Sequence, residues 1–166
     1  MKIRPLHFII FWTILNLLQA AFTELTSDEG YYWFYSTSLE WGYYDHPPFL
    51  AWMVKAGYSI FQNELGVRLL NVLMSSATLF LFFKLLANEI KEERSVYFLL
   101  LAAPLLNYIA FIIFPDGPLL FFSLVFLTAY KRFLQKEDFI SSLLIGISIA
   151  GMLYSKYQGI LIVIFT

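Results

Sequence analysis

The chain has 166 residues, of which 60% are hydrophobic, 20% aromatic and only 14% charged, with a mean hydropathy of +0.69 and a formal net charge of −1. That balance exceeds the apolar share of a soluble domain and marks an integral membrane protein, while the small net charge and the lack of a basic run or acidic tail argue against a nucleic-acid partner. With no cysteine there can be no disulfide, thiolate nucleophile or cysteine-type metal site, so any metal would need Asp, Glu or the two histidines.

Lys2 and Arg4 precede an apolar stretch from Leu6 to Phe22. It lies near the lower end of the roughly 17–25 residues that cross ~30 Å of hydrocarbon. It reads as a first span, with a signal peptide as the competing reading, and both put the following loop outside. Residues 23–66 form that long loop, with short helices expected near 28–40 and 48–62, the second opening on Pro47. Its many Tyr and Trp residues suit segments lying at headgroup level rather than crossing it. Further spans are expected at 67–86, 96–114, 119–133 and 139–153, with another starting at 160. Arg68 and Lys84 stand where they could snorkel from the ends of the second span, and Pro104 kinks the third. The fold class is therefore all-α, a polytopic transmembrane helical protein with a long external loop carrying interfacial helices. The chain stops inside the apolar run Gly159–Thr166 without a polar flank, so it reads as the N-terminal portion of one transmembrane domain whose C-terminal part is missing.

Of the 11 basic residues, Lys2, Arg4, Lys84, Lys91, Arg94, Lys131, Arg132 and Lys136 fall on one side of this layout, and only Lys55, Arg68 and Lys156 on the other. By the positive-inside rule the first side is cytoplasmic. Asp28, Glu29, Asp45, His46, Asp116 and Lys156, from four separate segments, then share the extracytoplasmic side.

Each of these has a structural as well as a functional reading. Thr26-Ser27-Asp28-Glu29 fits a capping box, Asp45-His46-Pro47-Pro48 can start a helix, and Pro115-Asp116-Gly117-Pro118 is good turn chemistry. Lys156 is harder to explain structurally, because no acid lies within ten residues of it and an ionisable group at membrane depth is a functional candidate by default. Together they form a site with an anionic and a cationic half beside a lipid-facing wall. Carboxylates can deprotonate a hydroxyl or hold a divalent cation, lysine neutralises phosphate, and aromatic faces suit sugar rings and prenyl chains. Glu29, Tyr44, Asp45, His46, Lys156 and Tyr157 are accordingly expected to bind substrate. The chemistry fits transfer from a lipid-linked phosphate donor to a hydroxyl acceptor at the outer membrane surface. A transporter or flippase fragment is the alternative from another class.

The series D-E-G-Y-Y-W, G-Y-Y-D-H-P-P-F-L-A-W, G-V-R-L-L-N, F-P-D-G-P-L-L-F-F and Y-S-K-Y-Q-G resembles the N-terminal part of the GT-C membrane glycosyltransferases. The branch is that of the protein O-mannosyltransferases and lipid A aminoarabinose transferases. The resemblance implies Asp28 as catalytic carboxylate and Asp116 as a second active-site carboxylate. It further implies a polyprenyl or dolichyl phosphate-linked sugar as donor, a protein, lipid or glycan acceptor, and inversion at the anomeric centre. A bacterial inner membrane with the active site facing outward is the expected setting. Where the aminoarabinose branch usually has Glu-Lys before its paired prolines, linked to metal and donor phosphate, this chain has Asp45-His46, which leaves the use of a divalent cation open.

Overall fold

The computed structural model describes residues 5–86 and 93–166, and within them every regular element is an α-helix. In order these are α1 (Pro5–Phe22), α2 (Ser27–Thr37), α3 (Phe49–Tyr58), α4 (Glu64–Leu85), α5 (Glu93–Ala102), α6 (Pro104–Phe111), α7 (Asp116–Gln135), α8 (Phe139–Ser155) and α9 (Gly159–Ile164). Among the described residues α1, α4 and α7 are long and apolar enough to cross a membrane, and α8 is a shorter apolar helix. At ~1.5 Å per residue the 18, 22 and 20 residues of those three helices approach or reach the hydrocarbon thickness. The polar stretch between the expected spans 67–86 and 96–114 falls largely outside the described residues.

The long helices pair through polar rungs as well as apolar contact. Between α1 and α4 the Trp12 indole N–H donates to Ser75 Oγ at 3.1 Å, and the Thr13 and Ser76 hydroxyls share a 2.7 Å hydrogen bond. Small hydroxyl residues permit such close packing where lipid tails offer no hydrophobic drive for helix association. One apolar cluster, Phe8, Trp12, Leu79, Phe83, Tyr97, Leu100 and Ala110, fills the space beside these rungs. A second, Tyr32, Leu50, Met53, Val54, Val67 and Ile113, clamps α2 and α3 onto α4 and onto the corner before α7. This second cluster fixes the floor of the loop end.

The proline positions follow from backbone sterics, with two departures from the sequence-based expectation. The expected kink at Pro104 is a full break: Ala103 is extended, α6 starts afresh, and the Asn107 amide donates to the freed carbonyls of Leu100, Leu101 and Ala103 at 3.2, 3.0 and 2.9 Å. The loop helix expected to open on Pro47 instead begins at Phe49, with Pro48 in the cap position. A residue that precedes proline is disfavoured in the helical region, so Pro47 cannot join the helix. At the other end of α3 the chain turns into α4 at van der Waals limit. A Cβ on Gly57 would lie 2.2 Å from the Gly66 carbonyl oxygen, and one on Gly66 1.7 Å from that of Phe61. Only glycine fits there.

Candidate active site

The site is built on α2. Thr26 caps it: Thr26 Oγ1 accepts from the Glu29 backbone N–H, and the Glu29 carboxylate accepts from the Thr26 backbone N–H at 2.9 Å, the reciprocal box anticipated from sequence. The same carboxylate has a second task. Arg68, from α4, donates through Nε and Nη2 to Glu29 Oε1 and Oε2, both at 2.7 Å, and both side chains are 0% exposed. The remaining guanidinium protons reach the carbonyls of Ala20, Thr23 and Glu24, and Glu29 Oε1 also accepts from the Ile113 backbone N–H at 3.2 Å. Arg68 therefore does not snorkel, as its place in the sequence led us to expect. It is a fully bonded buried cation joining the end of α1, the start of α2 and the corner before α7. Glu29, expected to bind substrate, is turned inward by this pairing, about 100° around the helix from Asp28, which stays exposed.

That corner carries Asp116. Asn71 of α4 holds it from below, its amide donating to the carbonyls of Ile109 and Ile112 at 3.0 and 2.9 Å, and Gly117 leaves the room that Asn71 occupies. The Gly117 N–H donates to the Phe114 carbonyl at 3.1 Å, the turn expected from Phe-Pro-Asp-Gly-Pro, which here runs straight into α7. Asp116 thus sits in a first helical turn, where the macrodipole favours an anion. Lys156, just past the last residue of α8, donates to Asp116 Oδ1 at 2.8 Å across 40 residues of sequence, with 34% of its side chain still accessible.

Asp45 is fastened to α2 by tyrosines. The Tyr31 and Tyr35 hydroxyls donate to Asp45 Oδ1 at 3.0 and 2.9 Å and lie against each other, and Tyr35 stacks on Tyr43 with ring centroids 4.0 Å apart. His46 Nε2 lies 3.5 Å from Asp45 Oδ2, and its ring stands edge-on to Tyr32 at 5.3 Å. Lost hydration works against the Asp45 carboxylate, yet donation from Tyr35 and Tyr31 and the neighbouring His46 hold its pKa below the ordinary value. A depressed folded-state pKa stabilises the tie at all pH values above the unfolded one and releases it as pH falls through the folded one. The phenol of Tyr35 is raised, by lost hydration first and then by its bonds to Tyr31 and Asp45.

Tyr32, Asp45, His46, Pro47, Phe114, Pro115, Asp116, Lys156, Tyr157 and Gln158 line one pocket of about 280 Å³. Of the residues expected at the site, Asp45, His46, Asp116, Lys156 and Tyr157 meet there. Asp28 does not line it but lies on the same face of α2 as Tyr32, four residues on. Tyr44, expected to bind substrate, is fully exposed and outside the pocket, because its neighbour Tyr43 takes the inward position, with its hydroxyl donating to the Tyr35 and Ser38 carbonyls. Tyr32 was missed from sequence; its i, i+4 relation to Asp28 was the available signal. Oδ1 of Asp45 accepts two hydroxyl hydrogen bonds, and no group of three or more His, Asp or Glu that could hold a metal ion is gathered among the described residues.

Residues 45–166 match the family described as dolichyl-phosphate-mannose-protein mannosyltransferase. Over 158 residues, 92% of the chain, it is 28% identical to lipid A galacturonosyltransferase RgtD of Rhizobium johnstonii, and spans 33% of that relative's length. No solved structure matches the chain at a significant level.

Proposed function

The chain belongs to the dolichyl-phosphate-mannose-protein mannosyltransferase family, and from that premise we propose that it forms part of the active site of a GT-C glycosyltransferase. The donor is a polyprenyl phosphate-linked sugar, the acceptor a hydroxyl, and the reaction takes place on the extracytoplasmic face of a bacterial inner membrane. Among acceptor classes a lipid is favoured, since the relative named above is a lipid A galacturonosyltransferase.

The observation that carries this reading is the single pocket that joins Asp116 and Lys156 to His46 at one end of the long helices, beside the Asp28 face of α2. In the reaction, Asp28 takes the proton of the acceptor hydroxyl as its oxygen forms the new bond to the anomeric carbon. The bond from that carbon to the phosphate oxygen breaks on the opposite face, and its electron pair leaves on the lipid phosphate, inverting the centre. Lys156 supplies positive charge to that phosphate, and Asp116 holds the ammonium in place beforehand. His46 lines the same end. A translocation path would put such groups near the bilayer midplane on broken helices, whereas these stand at helix ends.

Lys156→Ala in the intact protein should weaken binding of polyprenyl phosphate at least tenfold, with acceptor affinity changed far less, as titration of each into detergent-solubilised protein would read. Equal lipid-phosphate affinity in variant and parent would reject the assignment. The orientation has its own test: a cysteine at Ser38 should react with an impermeant thiol reagent in intact cells and one at Ser95 should not. The reverse pattern would put the site on the cytoplasmic face.

A further inference from the structure

Tyr32 is 4% exposed, its ring is packed among Leu50, Met53, Val54, Val67 and Ile113, and it nevertheless lines the pocket. Its hydroxyl has no hydrogen-bond partner among the described residues. Buried phenols ordinarily find a partner, so one that meets only a pocket is aimed at what enters it. Asp28 and Tyr32 stand at i and i+4 on α2 and share a face, while Glu29 is committed to Arg68.

We infer that Tyr32 contacts the acceptor, its hydroxyl donating a hydrogen bond to the oxygen of the same acceptor hydroxyl whose proton Asp28 removes. The inference rests on the base role proposed for Asp28 and adds a selection rule to it. Burial foremost, then the charges of Asp28, Asp45 and Asp116, push the Tyr32 pKa up to about 12, so at neutral pH the phenol keeps its proton and can donate. The charges of Asp28, Asp45 and Asp116 all act on Tyr32, and of these Asp116 is paired with the Lys156 ammonium whereas Asp28 has no ion-pair partner among the described residues. A phosphate is drawn to the Lys156 ammonium and repelled by the unpaired carboxylate of Asp28. A neutral alcohol fits beside Asp28 and Tyr32: it gives its proton to Asp28 and offers a lone pair to Tyr32. A protonated amine could satisfy the carboxylates but has no lone pair for the phenol. The site therefore selects hydroxyl over amine acceptors, through a donor that keeps the attacking oxygen in line as the bond to the anomeric carbon forms and the phosphate leaves with its electron pair.

Tyr32→Phe in the intact protein retains the ring and its packing. With polyprenyl phosphate-linked galacturonic acid as donor and lipid A as acceptor, kcat/KM for lipid A should fall about tenfold. Binding of undecaprenyl phosphate in detergent and the thermal midpoint should stay at parental values. Unchanged kcat/KM overturns the inference, and so does an equal loss of undecaprenyl phosphate affinity, which would move Tyr32 to the donor end. Asp28→Asn in the same assay separates the two claims. Loss of turnover there with full activity in Tyr32→Phe refutes only the tyrosine contact, whereas full turnover in Asp28→Asn refutes the base reading itself.

Discussion

Asp28→Asn should leave the intact protein folded and membrane-inserted while lowering transfer by roughly 10²- to 10⁴-fold, the usual contribution of a positioned general base. The expectation of normal folding is structural. Asp28 is exposed, and the cap on α2 is made by Thr26 and Glu29. Asparagine keeps the size of the side chain but cannot take a proton at neutral pH, so an alcohol acceptor remains a poor nucleophile. The loss should fall on kcat, since donor binding is assigned to Lys156 rather than to Asp28. Near-parental turnover in Asp28→Asn, with activity abolished in Asp116→Asn, would move the base to the second carboxylate. A thermal scan beside the rate measurement distinguishes lost chemistry from lost protein.

Arg68→Ala should have the largest effect on stability, about 3–5 kcal/mol. Removing the guanidinium leaves the Glu29 carboxylate fully buried with its cation gone, and strips donors from the carbonyls of Ala20, Thr23 and Glu24. No solvent reaches the position to compensate. Glu29→Gln should cost a similar amount by leaving the arginine uncompensated, and would also weaken the cap of α2. Both changes loosen the Ile113 corner, so residual folded protein should bind polyprenyl phosphate less tightly although neither residue lines the pocket. The double variant Glu29→Gln with Arg68→Gln should be more stable than the sum of the single losses, because no lone buried charge remains. Parental thermal midpoints in either single variant would contradict this account of what holds the loop to the spans.

The features legible in the sequence were those set by neighbouring residues. The capping box and the turn at Asp116 depend on a few consecutive side chains, and the sequence shows them directly, whereas at Pro104 it shows a disturbance of the helix but not that the helix breaks there. Lys156 could be recognised as a cation in want of a distant acid, and Asp116 is the acid it meets. The Glu29–Arg68 pair was not legible, because the two lie 39 residues apart and each has an adequate local explanation, one as a cap residue and the other as a snorkelling cation. Adjacent aromatic residues posed a different problem. Tyr43 and Tyr44 are chemically equal in the sequence, and only the stacking of Tyr43 on Tyr35 decides which one turns outward. Tyr32 was hidden in the same way among the aromatics of α2, whose apolar spacing alone does not say which ring keeps an unpaired hydroxyl.

The most direct measurement is turnover by the purified intact protein with a panel of polyprenyl phosphates carrying a neutral, an acidic or an amino sugar, with lipid A present. Free polyprenyl phosphate and inverted glycosyl product should accumulate together with at least one donor in the panel, and Asp28→Asn should suppress both. Movement of an intact polyprenyl phosphate sugar across a vesicle membrane, with no bond to the sugar broken by any donor, would contradict the reading of this pocket as a glycosyl transfer site.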